Sequence, residues 1–556
     1  MPGGLPGRAM QDAYDEPVTG AEVNAPSATS GQAAAEESAN AAGGSSASII
    51  ARLAPAMPSR SWIGWLGPLA VTLIGGILRF ASLGRPNGIA FDETYYPFEA
   101  LSYLRYGYEQ GKVDKANEIL LSFTGDWHAL NIFNGEPAFV VHPPLGKWTL
   151  ALGELMFGAN PFGWRFPMAV LGTLSILIVA RTMRRMTRSD LIGTLAGLLL
   201  ALDGMHLVLS RTGLLDMTLS FWVLVAFALL VLDRDVTRRR LARRADVDTW
   251  QGTRWGPPLG LRPLRWAAIL ALGLACSVKW SGMYFAVAFL LMSLVWDVGA
   301  RRIVGVRSPW VATAARSLPS TVAIAGGGIV AVYLASWTGW FLNPDAYGRA
   351  WADAHPASWI PASVRSLWHY HAEAWNFHVT LSSPHAYASN PLSWPFQSRP
   401  TSFFWEAPKL GEKGCEVDSC AQEVLALGNP VIWWVGIVAI IHQAWRWLAR
   451  RDWRSGAVLV GIAAGWLPWM LYLNRTIFTF YTVVFVPYLV MALAMTLGAL
   501  LGPSTGSPTR RRWGAFAVGA IVLLVVIVAW WMYPVWTGVV MPRSEWQLRM
   551  WMPTWI

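Results

Sequence analysis

Apolar residues in this chain come in long continuous runs rather than in alternation with polar ones. Runs of about 13 to 23 residues occupy 61–83, 165–180, 191–209, 217–232, 266–278, 282–296, 321–341, 430–445, 456–473, 480–501 and 514–533. A run near twenty residues matches the apolar thickness of a bilayer. In lipid the backbone must satisfy its own hydrogen bonds, which leaves helices or a closed barrel. Unbroken runs do not alternate as barrel strands do, so they predict helices. A twelfth candidate, "PPLGKWTLALGELMFG" (143–158), is ambiguous because it carries two prolines and a lysine.

Charge decides that case. Basic clusters lie at 181–188, 234–244, 301–307, 446–454 and 509–513. Lys and Arg mark cytoplasmic loops. All five clusters share one side only if 143–158 lies along the outer interface, and if 277–282 is a tight external turn between two short spans. The result is eleven spans, an amino terminus inside and a carboxyl terminus outside. The first loop (83–162), the turns 209–216, 277–282 and 473–478, the long loop 342–428 and the tail 534–556 then face outward. The expected fold is an all-α polytopic membrane protein, with a catalytic transmembrane unit over 56–533 and interfacial helices outside.

Composition agrees. The chain is 54% hydrophobic and 14% charged, against about 25% charge in soluble proteins. The net charge of +11 does not indicate nucleic acid, because the cations are clustered between apolar runs. Residues 1–55, rich in Ala, Gly, Ser and Glu, are predicted to be a disordered cytoplasmic tail. Cys276 lies in an apolar run and is read as inert. Cys415 and Cys420, in an outward loop, are read as a disulfide or as two free thiols.

The isolated polar residues gather on the outer side. Ionisable groups near membrane depth are costly, so their clustering suggests a site. Asp92 and Glu93 open an aromatic-rich helix after the first span. By themselves they read as a helix cap, with Asp92 at the N-cap and Glu93 in the first turn. His142 and Lys147 sit in "VHPPLGKW". Arg165, Arg211, Lys279, Arg399 and Arg475 lie at outer ends of spans or in outer loops, against the orientation rule. Together they form an anion-attracting rim. Asp203 and Asp216 can pair with them. His369, His371 and His378 lie in "HYHAEAWNFH", read as an amphipathic interfacial segment rather than a metal site. No Walker, dinucleotide-binding or G-x-S-x-G motif is present. A transporter would show internal repeats and midplane carboxylates; neither is seen.

The motifs "FDETYY", "VHPPLGKW", "GWRFP", "SRTGLLD", "SVKWSG", "LSWPFQSRP", "LGNPVIWW" and "LNRTIFTFY" together resemble the protein O-mannosyltransferases, membrane glycosyltransferases of the GT-C fold. The resemblance runs from about residue 62 to 533. The loop 342–428 is too short for the β-trefoil insertion of the eukaryotic enzymes, so the chain resembles the bacterial, actinobacterial-type branch. The resemblance implies inverting transfer of mannose from polyprenyl phosphate mannose to Ser or Thr hydroxyls of secreted proteins. The site would face outward from the plasma membrane, and docking on the secretion channel would be plausible. It implies Asp92 as the base and Glu93 as its neighbour, positioning the acceptor or tuning Asp92. Arg165, and less directly Lys147, Lys279, Arg399 and Arg475, would hold the donor phosphate. His142, Trp280, Asp216 and Trp394, within the quoted motifs, are assigned to the acceptor and substrate pocket. No cofactor or metal is expected, since fixed cations can serve the leaving group. The alternative within the same fold is a lipid or polysaccharide acceptor.

Overall fold

A computed structural model describes residues 49–57, 62–244, 247–356, 359–503 and 505–556. The helices follow the apolar runs. α1 (Ile63–Phe80) is followed in the first loop by α2 (Tyr96–Tyr106), a two-turn helix at Ala116–Ser122 and α3 (Leu145–Phe157). Next come α4 (Pro161–Thr187), α5 (Asp190–Ala201), α6 (Leu215–Ala242), α7 (Pro263–Cys276), α8 (Gly282–Ile303) and α9 (Leu318–Ser336). The long loop holds α10 (Ala362–Thr380). The chain then forms α11 (Pro430–Arg450), α12 (Trp453–Trp466), α13 (Val486–Leu501) and α14 (Pro508–Trp536).

Among the described residues, eight helices are long and apolar enough to cross a membrane, counting α12 with its 3-10 extension to Leu471 and α9 with the short helix from Pro309 before it, and α5, α7 and α13 are shorter apolar helices. These eleven occupy the eleven predicted runs. α6 lies at the centre, its apolar window 72% buried, whereas the corresponding window of α9 is 11% buried. α9 therefore presents nearly its whole circumference outward, with Val322, Val330 and Leu334 exposed. α12 and α13 approach closely at Gly461, where a Cβ would come within 2.4 Å of the Tyr488 ring. α3 is only 13 residues long and packs on α2 and α4.

The sequence expectation of two short spans holds for α7 alone, since α8 has 22 residues, and the short α7 sets the depth of the turn between them. A helix of 14 residues rises about 21 Å, less than the roughly 30 Å apolar core. The 277–282 turn thus reaches down into the bundle instead of standing clear of it.

Two features differ from the sequence expectation. Of the tail expected to be disordered, residues 1–48 lie outside the described residues. Residues 49–53 are helical, and Ile49 and Leu53 are buried in a small cluster with Leu241, Leu259 and Val304. The segments expected to face outward also contain strands. β1 (Gln110–Lys112) pairs antiparallel with β2 (Phe133–Pro137) in the first loop. β3 (Thr401–Glu406), β4 (Cys420–Ala426) and β5 (Val540–Pro542) form an antiparallel sheet in the order β3-β4-β5. β5 comes from the terminal tail, so the tail closes over the long loop. Within that loop Cys415 and Cys420 form a disulfide.

Candidate active site

Asp92 lies in a single 3-10 turn, Phe91–Thr94, ahead of α2. Phe91 adopts a left-handed backbone, φ 51°, which is unfavourable for a bulky residue. Its ring is held by Phe403, Phe478, Phe480 and His385 at centroid distances of 5.2–5.9 Å. Aromatic packing thus enforces a strained turn beside a carboxylate, and such outliers cluster at functional sites.

The expected cap is reversed. Ala90, not Asp92, occupies the N-cap, and Glu93 reaches back so that its Oε2 accepts from the Ala90 amide at 2.8 Å. Glu93 is fully buried. Its Oε1 accepts from Arg165 Nε at 2.7 Å and from the Gly213 amide at 2.8 Å. Its Oε2 also accepts from Arg165 Nη2 at 2.7 Å. The remaining Arg165 bonds go to the carbonyls of Pro86 and Gly88 at 2.9 and 2.8 Å. A bidentate carboxylate and two carbonyls occupy the guanidinium fork. This knot ties the first loop to α4 and to the turn before α6, and fixes the backbone on which Asp92 sits.

Glu93 spent in this way leaves Asp92 as the less committed carboxylate, partly buried and within electrostatic reach of Lys279 and Asp216. The Tyr96 hydroxyl approaches Asp92 Oδ2 at 3.4 Å. Burial pushes the Asp92 carboxyl up to about 6, an effect that the nearby Lys279 ammonium opposes and the Asp216 carboxylate reinforces. Lys279, from the short turn, bonds Asp216 Oδ2 at 2.7 Å.

Lys279 and Asp216 line a cavity of about 650 Å³, as do His142, Trp280, Arg475 and Tyr481. Arg475 donates from Nη2 to His378 Nδ1 at 3.3 Å, and its buried Nε has no hydrogen-bond partner. His378 Nε2 lies 2.9 Å from the Val141 carbonyl, which fixes the proton on Nε2 and leaves Nδ1 to accept from Arg475. Burial holds His378 down at about 4, so it is neutral at pH 7. His142 stacks on His378 at 5.2 Å and is also held well below its ordinary value, mainly by burial and then by Lys279. The polar end of the cavity therefore has Lys279 paired with Asp216, Arg475 with one unpaired nitrogen, and two neutral imidazoles.

The remaining predicted residues are placed elsewhere. Lys147 is fully buried, bonded to Glu109 at 2.8 Å and Glu99 at 3.4 Å. Arg399 donates to the carbonyls of Ala386, Thr554 and Ile556, and so pins the terminal tail. Trp394 is buried behind the cavity wall, donating to Ser389 Oγ at 2.9 Å, with Trp469 and Tyr481 in front of it. Arg165, Lys147 and Arg399 are thus bonded to protein groups away from the cavity, whereas Lys279 and Arg475 face into it. Asp203 caps a short helix by accepting from the His206 amide at 3.0 Å, and also accepts from Trp433 Nε1 at 2.8 Å. Arg211 bonds the carbonyls of Arg79, Ala81 and Ser82. His369 pairs with Glu373, and His371 with the Tyr333 hydroxyl, so the three histidines of the interfacial helix point to different partners.

Sequence reasoning missed Tyr96, Tyr333 and Tyr481. Tyr96 was detectable by its i+4 spacing from Asp92. Tyr333 accepts from Trp280 Nε1 at 2.9 Å and orients that ring; it lies in an apolar run that offers no local signal.

Comparison with known proteins decides the family. Residues 69–322 match the model of the dolichyl-phosphate-mannose-protein mannosyltransferases, and residues 363–555 match the C-terminal four-helix region of protein O-mannosyltransferases. The chain belongs to the protein O-mannosyltransferase family. It is 38% identical over 512 residues to a polyprenol-phosphate-mannose–protein mannosyltransferase of Mycobacterium tuberculosis, covering 88% of this chain and 92% of that one. It is 34% identical over 431 residues to the enzyme of the same name from Corynebacterium glutamicum, covering 75% and 81%. Its fold is that of the S. cerevisiae protein O-mannosyltransferase complex solved with its sugar donor bound: TM-score 0.66, 14% identity, covering 92% and 94%. As a member, the chain is a multi-pass membrane glycosyltransferase of the GT-C fold.

Proposed function

We propose that this chain transfers mannose from polyprenyl phosphate mannose to Ser or Thr hydroxyls of proteins being secreted, at the outer face of the plasma membrane. The observation that carries the reading is one cavity with Lys279 and Arg475 at its polar end, beside Asp92, and an apolar cleft leading into it. That cleft, about 380 Å³ between α8 and α9, shares Met283, Ile329 and Val330 with the cavity. A lipid-linked donor has to arrive sideways from the bilayer. The nearly bare flank of α9 gives its polyprenyl chain a path while the phosphate comes to rest at Lys279 and Arg475.

The chemistry follows from the arrangement. Asp92, with a pKa of about 6, is largely ionised at pH 7 and suits a general base. It takes the acceptor hydroxyl proton as that oxygen bonds to the anomeric carbon. The bond from that carbon to the phosphate oxygen breaks on the opposite face, so configuration inverts. The phosphodiester becomes a phosphomonoester, and charge grows where Lys279 and the unpaired Arg475 Nε stand ready. Glu93 and Arg165 position Asp92 rather than touch the reactants. An unfolded acceptor, presented as it leaves the secretion channel, would reach the cavity from the outer side.

The test is mannose transfer to a Thr-rich peptide by membranes carrying Asp92→Asn. Transfer should fall at least about a hundredfold, as expected for loss of a general base, while donor lipid still binds. Wild-type turnover by that variant would remove Asp92 from the role. Transfer to endogenous lipid or polysaccharide, with none to peptide, would instead identify the other acceptor class.

A further inference from the structure

The molecule has a second charged cavity, far from Asp92. It lies where α11 ends and α12 begins, and has a volume of about 510 Å³. Arg446, Arg450, Arg451 and Arg454 line it, with Asp452 as the one carboxylate. Arg451 takes a left-handed backbone, φ 53°, and this sharp turn sets two consecutive arginines at the mouth. Asp452 is already committed. It caps α12, accepting from the Arg454 amide at 3.0 Å. It also accepts from Arg446 Nη2 at 2.6 Å and from the Arg454 guanidinium at 2.8 Å. Among the described residues, Arg450 and Arg451 have no carboxylate partner; Arg450 stands over the Trp445 ring at 5.3 Å.

An apolar track leads away from this cavity. Ile441, Trp445 and Leu448 recur at helical spacing on α11 and are 66%, 50% and 62% exposed. A soluble anion has no use for such a track. An amphiphile does, with its phosphate at the arginines and its chains along α11. α12 joins the two cavities: Arg454 lines this one, and Ala464 and Gly465 line the one beside Lys279. Ten residues of helix separate Arg454 from Ala464, about 15 Å, so the two cavities lie at opposite ends of α12.

We propose that this pocket is a binding site for the phosphate headgroup of an anionic phospholipid, drawn from the leaflet opposite the catalytic cavity. Basic pockets between membrane helices recognise such headgroups. The bound lipid would clamp the α11–α12 junction and so brace the helix whose far end forms a wall of the catalytic cavity.

The test uses the full-length protein in neutral detergent. Native mass spectrometry and thermal unfolding would be followed with phosphatidylglycerol, phosphatidylcholine or inorganic phosphate added. Phosphatidylglycerol should be retained and should raise the unfolding temperature; the other two should do neither. The double variant Arg450→Gln/Arg451→Gln should bind phosphatidylglycerol roughly tenfold or more weakly, given about 1 kcal/mol per basic residue. Arg510→Gln/Arg511→Gln, in another exposed basic cluster, should bind as the wild type does. Equal response to phosphatidylcholine, the same shift from phosphate alone, or equal loss in the two double variants would overturn the site. If the first double variant does not fold, a photoactivatable phosphatidylglycerol on the wild-type protein decides. Labelling should concentrate in residues 441–454, and labelling elsewhere would refute the proposal.

Discussion

At the scale of single residues, the site turns on which of two adjacent carboxylates is free. Glu93 is saturated by Arg165 and two amides, and Asp92 has one long contact from a tyrosine. The pH dependence should expose Asp92. Its carboxyl is raised to about 6, and the base works when ionised, so kcat/KM should rise up to about pH 6 and level off above it. Lys279 pulls that value down, so Lys279→Met should move the acid limb to higher pH as well as weaken donor use. An unmoved limb would separate Lys279 from Asp92. Arg165 tests the other half of the pair. Removing one member of a buried ion pair typically costs about 3–5 kcal/mol. Arg165→Ala should therefore lower the unfolding temperature in detergent and reduce kcat, with donor KM nearly unchanged. A raised donor KM with normal stability would return Arg165 to the phosphate.

At the scale of elements, the cleft between α8 and α9 carries the donor argument. Val330 lines both the cleft and the cavity, and a bulky ring there would obstruct the polyprenyl chain without touching the polar end. Val330→Trp should raise KM for a long-chain donor about tenfold, a typical penalty for misfit in an apolar channel, and leave a short-chain donor little affected. Equal effects on both would place the lipid elsewhere. The elements themselves were mostly legible in the sequence. Continuous apolar runs and clustered arginines located the eleven apolar helices of the described residues and the tight turn 277–282, because hydrophobic length and charge are local properties. The three-stranded sheet was not legible. Its β5 lies more than a hundred residues beyond β4, and no local pattern announces that pairing. The same limit explains the cations: sequence set Arg165, Lys147 and Arg399 beside Lys279 and Arg475. Only folding shows that the first three bond protein groups away from the cavity, whereas Lys279, with its partner Asp216, and Arg475 line it.

At the scale of the whole molecule, polar groups are sorted to two ends. One end has the cavity of Lys279 and Arg475, the sheet and the Cys415–Cys420 disulfide. At the other, Arg185 and Arg188 meet Asp235, and Arg262 and Arg265 meet Asp233 and Asp297. Basic loops stay in the cytoplasm, and disulfides persist outside it, so both criteria support the proposed orientation. It is also the orientation the reaction needs. The proposed secreted acceptor and the cavity have to share a side, which would set the arginine pocket at the start of α12 against the cytoplasmic leaflet. Two exposed positions test it: Ser383 in the long loop and Arg511 at the start of α14. In intact cells a membrane-impermeant maleimide should label Ser383→Cys and spare Arg511→Cys until the membrane is permeabilised. The native cysteines add little background, since Cys276 is buried and the other two are bonded to each other. The reverse labelling pattern would put Asp92 in the cytoplasm, where a chain already being secreted could not reach it, and the proposed acceptor would fall with the orientation.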